Sequence, residues 1–338
     1  MKKIIIFGAT GSIGVYLTDW FRTELGEQYE IIAAGRKGLS FFNDAGIRTA
    51  YVDVCRDEDF ARLPDQDVYG IVNLTGVLPA YLKEYDPFMY VDTNIKGSLR
   101  IMEYARKVGA DRVLYTQTWA EQAGYWGKVE VLSPAMPKKL LYTGDHAFYA
   151  IAKSMVTETM EFYHQEYGIK SFVFRLPNVY MYAPNQLYYV DGKERKVAYR
   201  YMIEQAAAGK DLEMWGNPDA FKDILYVKDL CRMMSLAMTA SVDGGTYNAG
   251  TGIRTTLREQ IQGIIDVFSP RPEKCRIIEK PEGATFTSFV MDISNAREEL
   301  GYEPQYLYLD YLKDYRKERE AKRFDEMLMS RSITKSSG

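Results

Sequence analysis

The apolar run Lys3-Ile4-Ile5-Ile6-Phe7 opens directly into Gly8-Ala-Thr-Gly11-Ser-Ile-Gly14, which leads into a helical stretch over residues 15–24. Three glycines at that spacing, between a strand and a helix, constrain the fold more than any other feature of the chain. Gly8 and Gly11 let the backbone turn tightly and approach a pyrophosphate, and Gly14 lets helix and strand pack closely. The start of the helix offers unpaired N–H groups to the anion. Such a run also occurs in ordinary turns, so the rest of the chain has to decide.

A second element, Tyr149-Ala-Ile-Ala-Lys153, puts a phenol and an ammonium on one helix face. A lysine cation beside a tyrosine favours the phenolate, lowering a pKa that starts near ~10. Tyr149 is thereby expected to shuttle a proton at neutral pH. Alone, this spacing recurs by chance on many helices. His146, three residues away, is expected at the helix entry.

Strand-like runs alternate with amphipathic ones through the first half. Residues 4–7, 30–34, 49–52, 70–74, 112–116 and 171–175 read as strands, and 16–24, 57–62, 93–108 and 149–167 as helices. The alternation predicts an α/β fold, a doubly wound parallel sheet of Rossmann type covered on both faces. Ligands in such sheets bind beyond the carboxyl ends of the strands. Residues 1–176 with about 228–250 are expected to form the nucleotide-binding domain. Beyond residue 177 the segments shorten, with Pro184-Asn185 and Asp191-Gly192 as turn signals, so 177–227 and 251–325 are expected to form a smaller substrate lobe. The long connection 120–145 reads as a functional lid. Residues 314–331 are charged at helical spacing and read as a solvated helix first or else an interaction surface, with 326–338 as a tail.

Composition narrows the function. A net charge of −3 without a basic stripe argues against nucleic acid. Cys55, Cys231 and Cys275, three at unrelated spacings, suggest free thiols in a reducing compartment, and with only two histidines no metal site is expected. No stretch approaches the ~20 apolar residues of a membrane span. The expectation is a cytoplasmic protein acting on a small molecule.

Taken together and in this order, the two elements resemble the extended short-chain dehydrogenase/reductase family, whose epimerases, dehydratases and reductases act mostly on nucleotide sugars. Further blocks carry the resemblance along nearly the whole chain: Val72-Asn-Leu-Thr-Gly76, Asp92-Thr-Asn94-Ile-Lys-Gly97, Val113-Leu-Tyr-Thr-Gln-Thr118, Arg175-Leu-Pro-Asn178-Val-Tyr180, Lys222-Asp-Ile-Leu-Tyr-Val-Lys-Asp229, Tyr247-Asn-Ala-Gly-Thr-Gly252 and Asp292-Ile-Ser-Asn-Ala-Arg-Glu-Glu-Leu-Gly-Tyr302. The resemblance implies NAD or NADP as cofactor, a homodimer, and a catalytic set of Thr118, Tyr149 and Lys153. It places Gly8, Thr10, Gly11, Ser12, Ile13, Gly14, Asp53, Val54, Leu74, Thr75, Gly76, Asn94, Thr116, Leu176 and Pro177 around the cofactor, with Tyr149 and Lys153. Asn178, Lys222 and Lys280 join Thr118 on the substrate, and Arg175 reads as structural.

Three departures refine this. The second strand ends Ala33-Ala34-Gly35-Arg36-Lys37 without the carboxylate that usually holds an adenosine ribose, so Arg36 and Lys37 lean toward a 2′-phosphate and NADP, or toward a solvated turn. Lysines stand at 222 and 280 where the nucleotide-sugar enzymes place arginines against a diphosphate. Thr118 is followed by Trp119-Ala120, with Glu121 one place late for the acid of a 4,6-dehydratase, and no cysteine between Cys55 and Cys231 supports a double epimerase. An epimerase passing through a transient keto-sugar is expected first. An NADPH-dependent ketoreductase comes second, and a cofactor-binding protein without turnover third.

Overall fold

The computed structural model describes residues 1–144, 146–185, 187–190 and 192–329. Its centre is a parallel sheet of seven strands, β1 (Lys2–Phe7), β2 (Tyr29–Gly35), β3 (Arg48–Tyr51), β4 (Val68–Asn73), β5 (Arg112–Thr118), β6 (Lys170–Leu176) and β7 (Gly244–Asn248). They lie in the order β7-β6-β5-β4-β1-β2-β3. The chain runs from β1 outward to β3, then crosses to the other side of β1 to lay down β4. That reversal opens a crevice beyond the carboxyl ends of β1 and β4, where sheets of this type bind ligands.

The helices that cover the sheet and position the site are α1 (Ser12–Leu25), α2 (Gly97–Val108), α3 (Ala147–Tyr167), α4 (Val227–Thr239), α5 (Leu257–Phe268), α6 (Tyr308–Ala321) and α7 (Asp325–Met329). Alternation along β1 shows why both faces are covered. Ile4 and Ile6 join one apolar cluster with Val15, Leu17 and Phe21 of α1. Ile5 and Phe7 join the other with Ile101 and Tyr104 of α2. Each fully buried side chain of this size contributes about 1.5–3 kcal/mol relative to exposure.

The strands and helices expected in the first half are present, with local differences. Residues 57–62 form a tight 3₁₀ turn, and the helix expected from 93 begins earlier, as a π-helical segment Tyr90–Lys96 that passes into α2. Beyond β6 the chain forms short pairings: Val179–Tyr180 with Leu225–Tyr226, Leu212–Trp215 with Ile277–Lys280, and Phe221–Lys222 with Thr255–Thr256. Asp191 lies outside the described residues. Its neighbour Gly192 follows the strand Leu187–Val190, which pairs antiparallel with Lys193–Lys196.

Two expectations are corrected. The 120–145 connection is not an open lid: Val131–Leu132 pairs with Val290–Met291, Gln122 donates to the carbonyls of Ser133 and Met136, and Lys138 pairs with Glu158 of α3. Its closing residue, Asp145, lies outside the described residues. Nor is the described part of 314–331 a solvated helix. Tyr311, Leu312, Tyr315 and Glu318 of α6 are buried, as are Met327 and Leu328 of α7, while residues 330–338 lie outside the described residues. Its charges read as solvated because their partner, Lys228, is far away in sequence. No described helix is long and apolar enough to cross a membrane.

Candidate active site

At the end of β1 the chain enters the crevice through Gly8, whose φ of +76° suits glycine. A Cβ on Gly8 would stand 3.0 Å from the carbonyl carbon of Leu74, so the turns after β1 and β4 approach as backbone on backbone. A Cβ on Gly14 would stand 2.2 Å from the Gly8 carbonyl oxygen, which fixes the start of α1 against the same turn. Gly11 caps α1 with extended backbone and no side-chain bond, leaving the first N–H groups, from Ser12 and Ile13 on, at the crevice. Thr10 turns back to β2, with its Oγ1 3.3 Å from where a Gly35 Cβ would be. The turn closes this tightly only because Gly8 and Gly14 carry no side chain.

The arm after β2 carries Arg36 and Lys37, both exposed. Arg36 reaches Asp53 at 3.5 Å, and Asp53 also accepts the Cys55 N–H at 3.0 Å. The segment after β3 thus lends a carboxylate to the basic arm that follows β2. Val54 packs against the start of α2, where a Cβ on Gly97 would meet its Cγ2 at 2.7 Å.

Beyond β4 the backbone is held by amide side chains. Asn73 accepts from the Thr75 N–H at 3.0 Å and from the Thr75 hydroxyl at 2.6 Å, and donates to Ser98 at 3.0 Å. Asn94 accepts from the Val77 N–H at 2.7 Å and donates to the Val77 carbonyl at 3.1 Å. Gly76 lies beside it, 3.5 Å from Asn94 Oδ1 to a would-be Cβ. Asn94 thus shapes the wall of the crevice through Val77. Asn73 was not singled out in the sequence, although it stands inside the block Val72–Gly76 that carried the resemblance.

Lys153 of α3 lies against β5, the strand that ends at Thr118. Tyr149 and Lys153 lie on the inward side of α3, 9% and 4% exposed. Lys153 Nζ sits 4.1 Å from the ring centre of Tyr115, three residues before Thr118 on β5, with Thr116 buried between them. The Tyr149 ring lies 6.1 Å from that of Tyr90 and 6.5 Å from His146, which is exposed. Thr118 ends the strand, and its hydroxyl accepts the Ala120 N–H at 3.2 Å. Tyr90 and Tyr115 are additions to the sequence reading. No periodicity marks them, because one enters through the π-helical turn and the other is an interior strand residue.

The expected lowering of the Tyr149 pKa is corrected here. Burial, reinforced by Tyr90, pushes the phenol upward, and the same burial pulls Lys153 down to about 7. In this dry pocket each group is held toward its neutral form, since desolvation penalises phenolate and ammonium alike.

At the end of β6, Leu176 is half-buried, Pro177 buried and Asn178 exposed. Arg175 is structural, as expected: its Nε donates to Glu121 at 2.6 Å and its Nη1 to Asn248 at 2.9 Å. Glu121, 1% exposed, also accepts from Gln117 at 2.9 Å, and Gln117 accepts the Thr118 N–H at 2.7 Å. Lys222 Nζ lies 3.9 Å from the ring centre of Phe286, and burial lowers its pKa. Lys280 ends the strand paired with Leu212–Trp215, opposite Trp215 in register.

A parallel sheet with a glycine cradle at its crossover, and a buried Tyr-x-x-x-Lys helix beside the fifth strand, defines a dinucleotide-dependent enzyme of the extended short-chain dehydrogenase/reductase type. The chain belongs to the NAD dependent epimerase/dehydratase family, which matches residues 4–250. Its relatives carry out different reactions. UDP-glucuronic acid decarboxylase 3 of Arabidopsis thaliana is 26% identical over 90% of this chain and 84% of that protein. UDP-glucose 4-epimerase of Thermotoga maritima, solved with UDP-glucose, superposes with a TM-score of 0.73 at 22% identity, over 94% of this chain and 99% of that one. dTDP-glucose 4,6-dehydratase of Bacillus anthracis, solved with NAD, gives 0.69 at 19% identity, over 97% and 100%.

Proposed function

We propose that this enzyme is a nucleotide-sugar epimerase that oxidises one carbinol of its substrate and reduces the resulting ketone on its other face. The observation that carries this reading is the position of Glu121. The carboxylate nearest after Thr118 is buried against Arg175 and Gln117, so the acid that an elimination of water needs is engaged in the core. What remains at the end of β5 is a set suited to moving one proton and one hydride.

The bound nicotinamide would supply and accept the hydride. Tyr149 would give or take the proton of the sugar hydroxyl, and Thr118 would hydrogen-bond the same oxygen and orient it. Lys153 would hold the nicotinamide ribose and set the charge beside Tyr149. With Tyr149 held as a phenol, the ready direction is donation to a ketone. The oxidising direction draws on Lys153 as a cation. The cradle at Gly8, Gly11 and Gly14 would hold the pyrophosphate, and Lys222 and Lys280 a sugar diphosphate, as point charges without the arginine fork.

Incubation with UDP-, GDP-, CDP- and dTDP-hexoses tests the reading. One pair should interconvert without net absorbance change at the reduced-nicotinamide wavelength, with product and substrate equal in mass. Stoichiometric NADPH consumption with a 4-keto sugar, and no interconversion, would replace the epimerase with a ketoreductase. Exposed Arg36 and Lys37 favour that second reading, because they suit a 2′-phosphate. If they serve it, Arg36→Ala weakens NADP binding and leaves NAD binding unchanged, and equal losses would make the pair a plain ribose contact. We further place the enzyme in a reducing, cytoplasmic setting, since Cys55, Cys231 and Cys275 are all free thiols, and infer that it works as a homodimer.

A further inference from the structure

The helix α7 and the residues before it return to the first helix of the chain. Phe324, 4% exposed, sets its ring edge-on to Tyr16 at 4.8 Å and to Phe41 at 5.8 Å. Tyr16 is two residues past Gly14 on α1. Phe41 lies four residues past Lys37, in the arm that follows β2. One aromatic side chain therefore bridges the two pieces of backbone between which the adenosine half of a dinucleotide would be held.

The bridge is fastened from both sides. Arg323 donates to Asp19 of α1 at 2.7 Å, and through Nε and Nη2 to Glu318 of α6 at 2.9 and 2.8 Å. Lys228 of α4 pairs with Asp314 at 2.6 Å and with Glu318 at 2.8 Å, so α6 is anchored to the helix that precedes β7. The Tyr16 hydroxyl donates to the carbonyl of Tyr182, four residues past Asn178, and the Tyr182 hydroxyl donates to Asp325 at 3.1 Å. The segment that holds α1 and the arm thus also touches the loop leading into the substrate lobe.

We propose that Phe324 is a positioning residue of the dinucleotide site, wedged between Tyr16 and Phe41 so that it fixes the spacing of α1 and the arm at residues 36–44. This rests on the reading of the glycine cradle and Arg36-Lys37 as the cofactor's seat. α1 presents its N–H groups from Ser12 onward, so a small rotation of the helix about its far end misaims all of them at once. The arm is tied at its far end to β3, where the Thr49 hydroxyl donates to Asn43 at 2.8 Å, and to the core by buried Phe42, while Phe41 beside it takes its contact from Phe324. The wedge acts on the pyrophosphate and adenosine. The nicotinamide is seated elsewhere, near Tyr149 and Lys153.

Competition of ADP against NADH, read by nicotinamide fluorescence on the full chain, tests the proposal. In Phe324→Ala the seat is correctly spaced for only a fraction of the time, and apparent affinity falls by that fraction, to about a tenth. ADP and NADH should weaken by the same factor, and Phe324→Leu should recover most of it. Phe41→Ala removes the same contact from a half-buried position and serves also if Phe324→Ala does not fold. Its ADP affinity should fall likewise, and the double variant should bind no more weakly than either single one. Undiminished ADP binding in Phe41→Ala, or losses that add in the double variant, would overturn the proposal. So would a loss confined to NADH. A wild-type protein that binds neither nucleotide would instead remove the cofactor reading itself, and this proposal with it.

Discussion

Lys153 and Tyr149 are held where neither is comfortable as an ion, and this has consequences for activity and for stability. Tyr149→Phe removes the shuttled proton but little binding surface, so kcat should fall by about 10²–10⁴-fold, as for loss of a general acid–base group. Cofactor affinity should stay within a few-fold. A residual activity above a tenth of wild type would assign the proton to another group. The lysine gives a second prediction, independent of substrate. Its pKa is lowered from 10.5 to about 7 in the folded protein, so between those values the unfolded chain binds more protons than the native one. Stability from this group therefore rises with pH from about 7 toward 10.5, and the burial cost is fully present below 7. Lys153→Met should raise the melting temperature of the cofactor-free protein at pH 7 and flatten its rise toward pH 10. An unchanged pH profile would mean that Lys153 is solvated in solution.

Among the elements, the 120–145 connection is where sequence reading and structure part most. The strands were legible because β1, β2 and β4 are short apolar runs ended by glycine or asparagine, and the placing of Tyr149 and Lys153 on one helix face was legible because four residues separate them. The connection was not, because its ties go to partners far along the chain: Asn248 donates to the carbonyl of Leu132 at 2.7 Å, and Arg254 pairs with Glu130 at 2.8 Å. The π-helical entry to α2 was equally hidden, since Asn94 and Ser98 are ordinary helical residues until their bonds to Val77 and Asn73 are seen. Glu121, read in the sequence as a carboxylate one place late for dehydration, is in the structure the partner of Arg175. That pair also makes a prediction at the scale of the element. Glu121→Gln leaves a buried guanidinium without its counter-ion, which costs about 3–5 kcal/mol, seen as a shift of the denaturation midpoint. Removing both charges in Glu121→Gln/Arg175→Met should recover a large part of that loss. If the single variant is as stable as wild type, water reaches Arg175 and the network is not dry.

For the molecule as a whole, the outer faces of α2 and α3 are the least settled surface. The inner side of α3 buries Tyr149 and Lys153, while its outer side exposes Met155 and Phe162, 53% and 54% accessible and seven residues apart on one stripe. Leu99 of the adjacent α2 adds a further apolar side chain, 43% accessible. Single exposed apolar residues need no explanation, but a stripe across two neighbouring helices is the kind of face that a second copy covers. A twofold pairing through α2 and α3 would join each helix to its own counterpart, so the same residues would meet across the axis. The pairing would also brace α3 from behind and hold Tyr149 and Lys153 against β5. In solution the protein should therefore sediment at twice 38.8 kDa. Phe162→Glu places like charges opposite one another across the axis and should yield monomers. The monomer should keep its fold, because Phe162 is solvent-facing within one chain, but it should lose activity in step with the dimer fraction as concentration falls. A wild-type protein that sediments as a monomer at micromolar concentration would dismiss the pairing. A Phe162→Glu monomer with full activity would keep the dimer but deny it any part in holding α3.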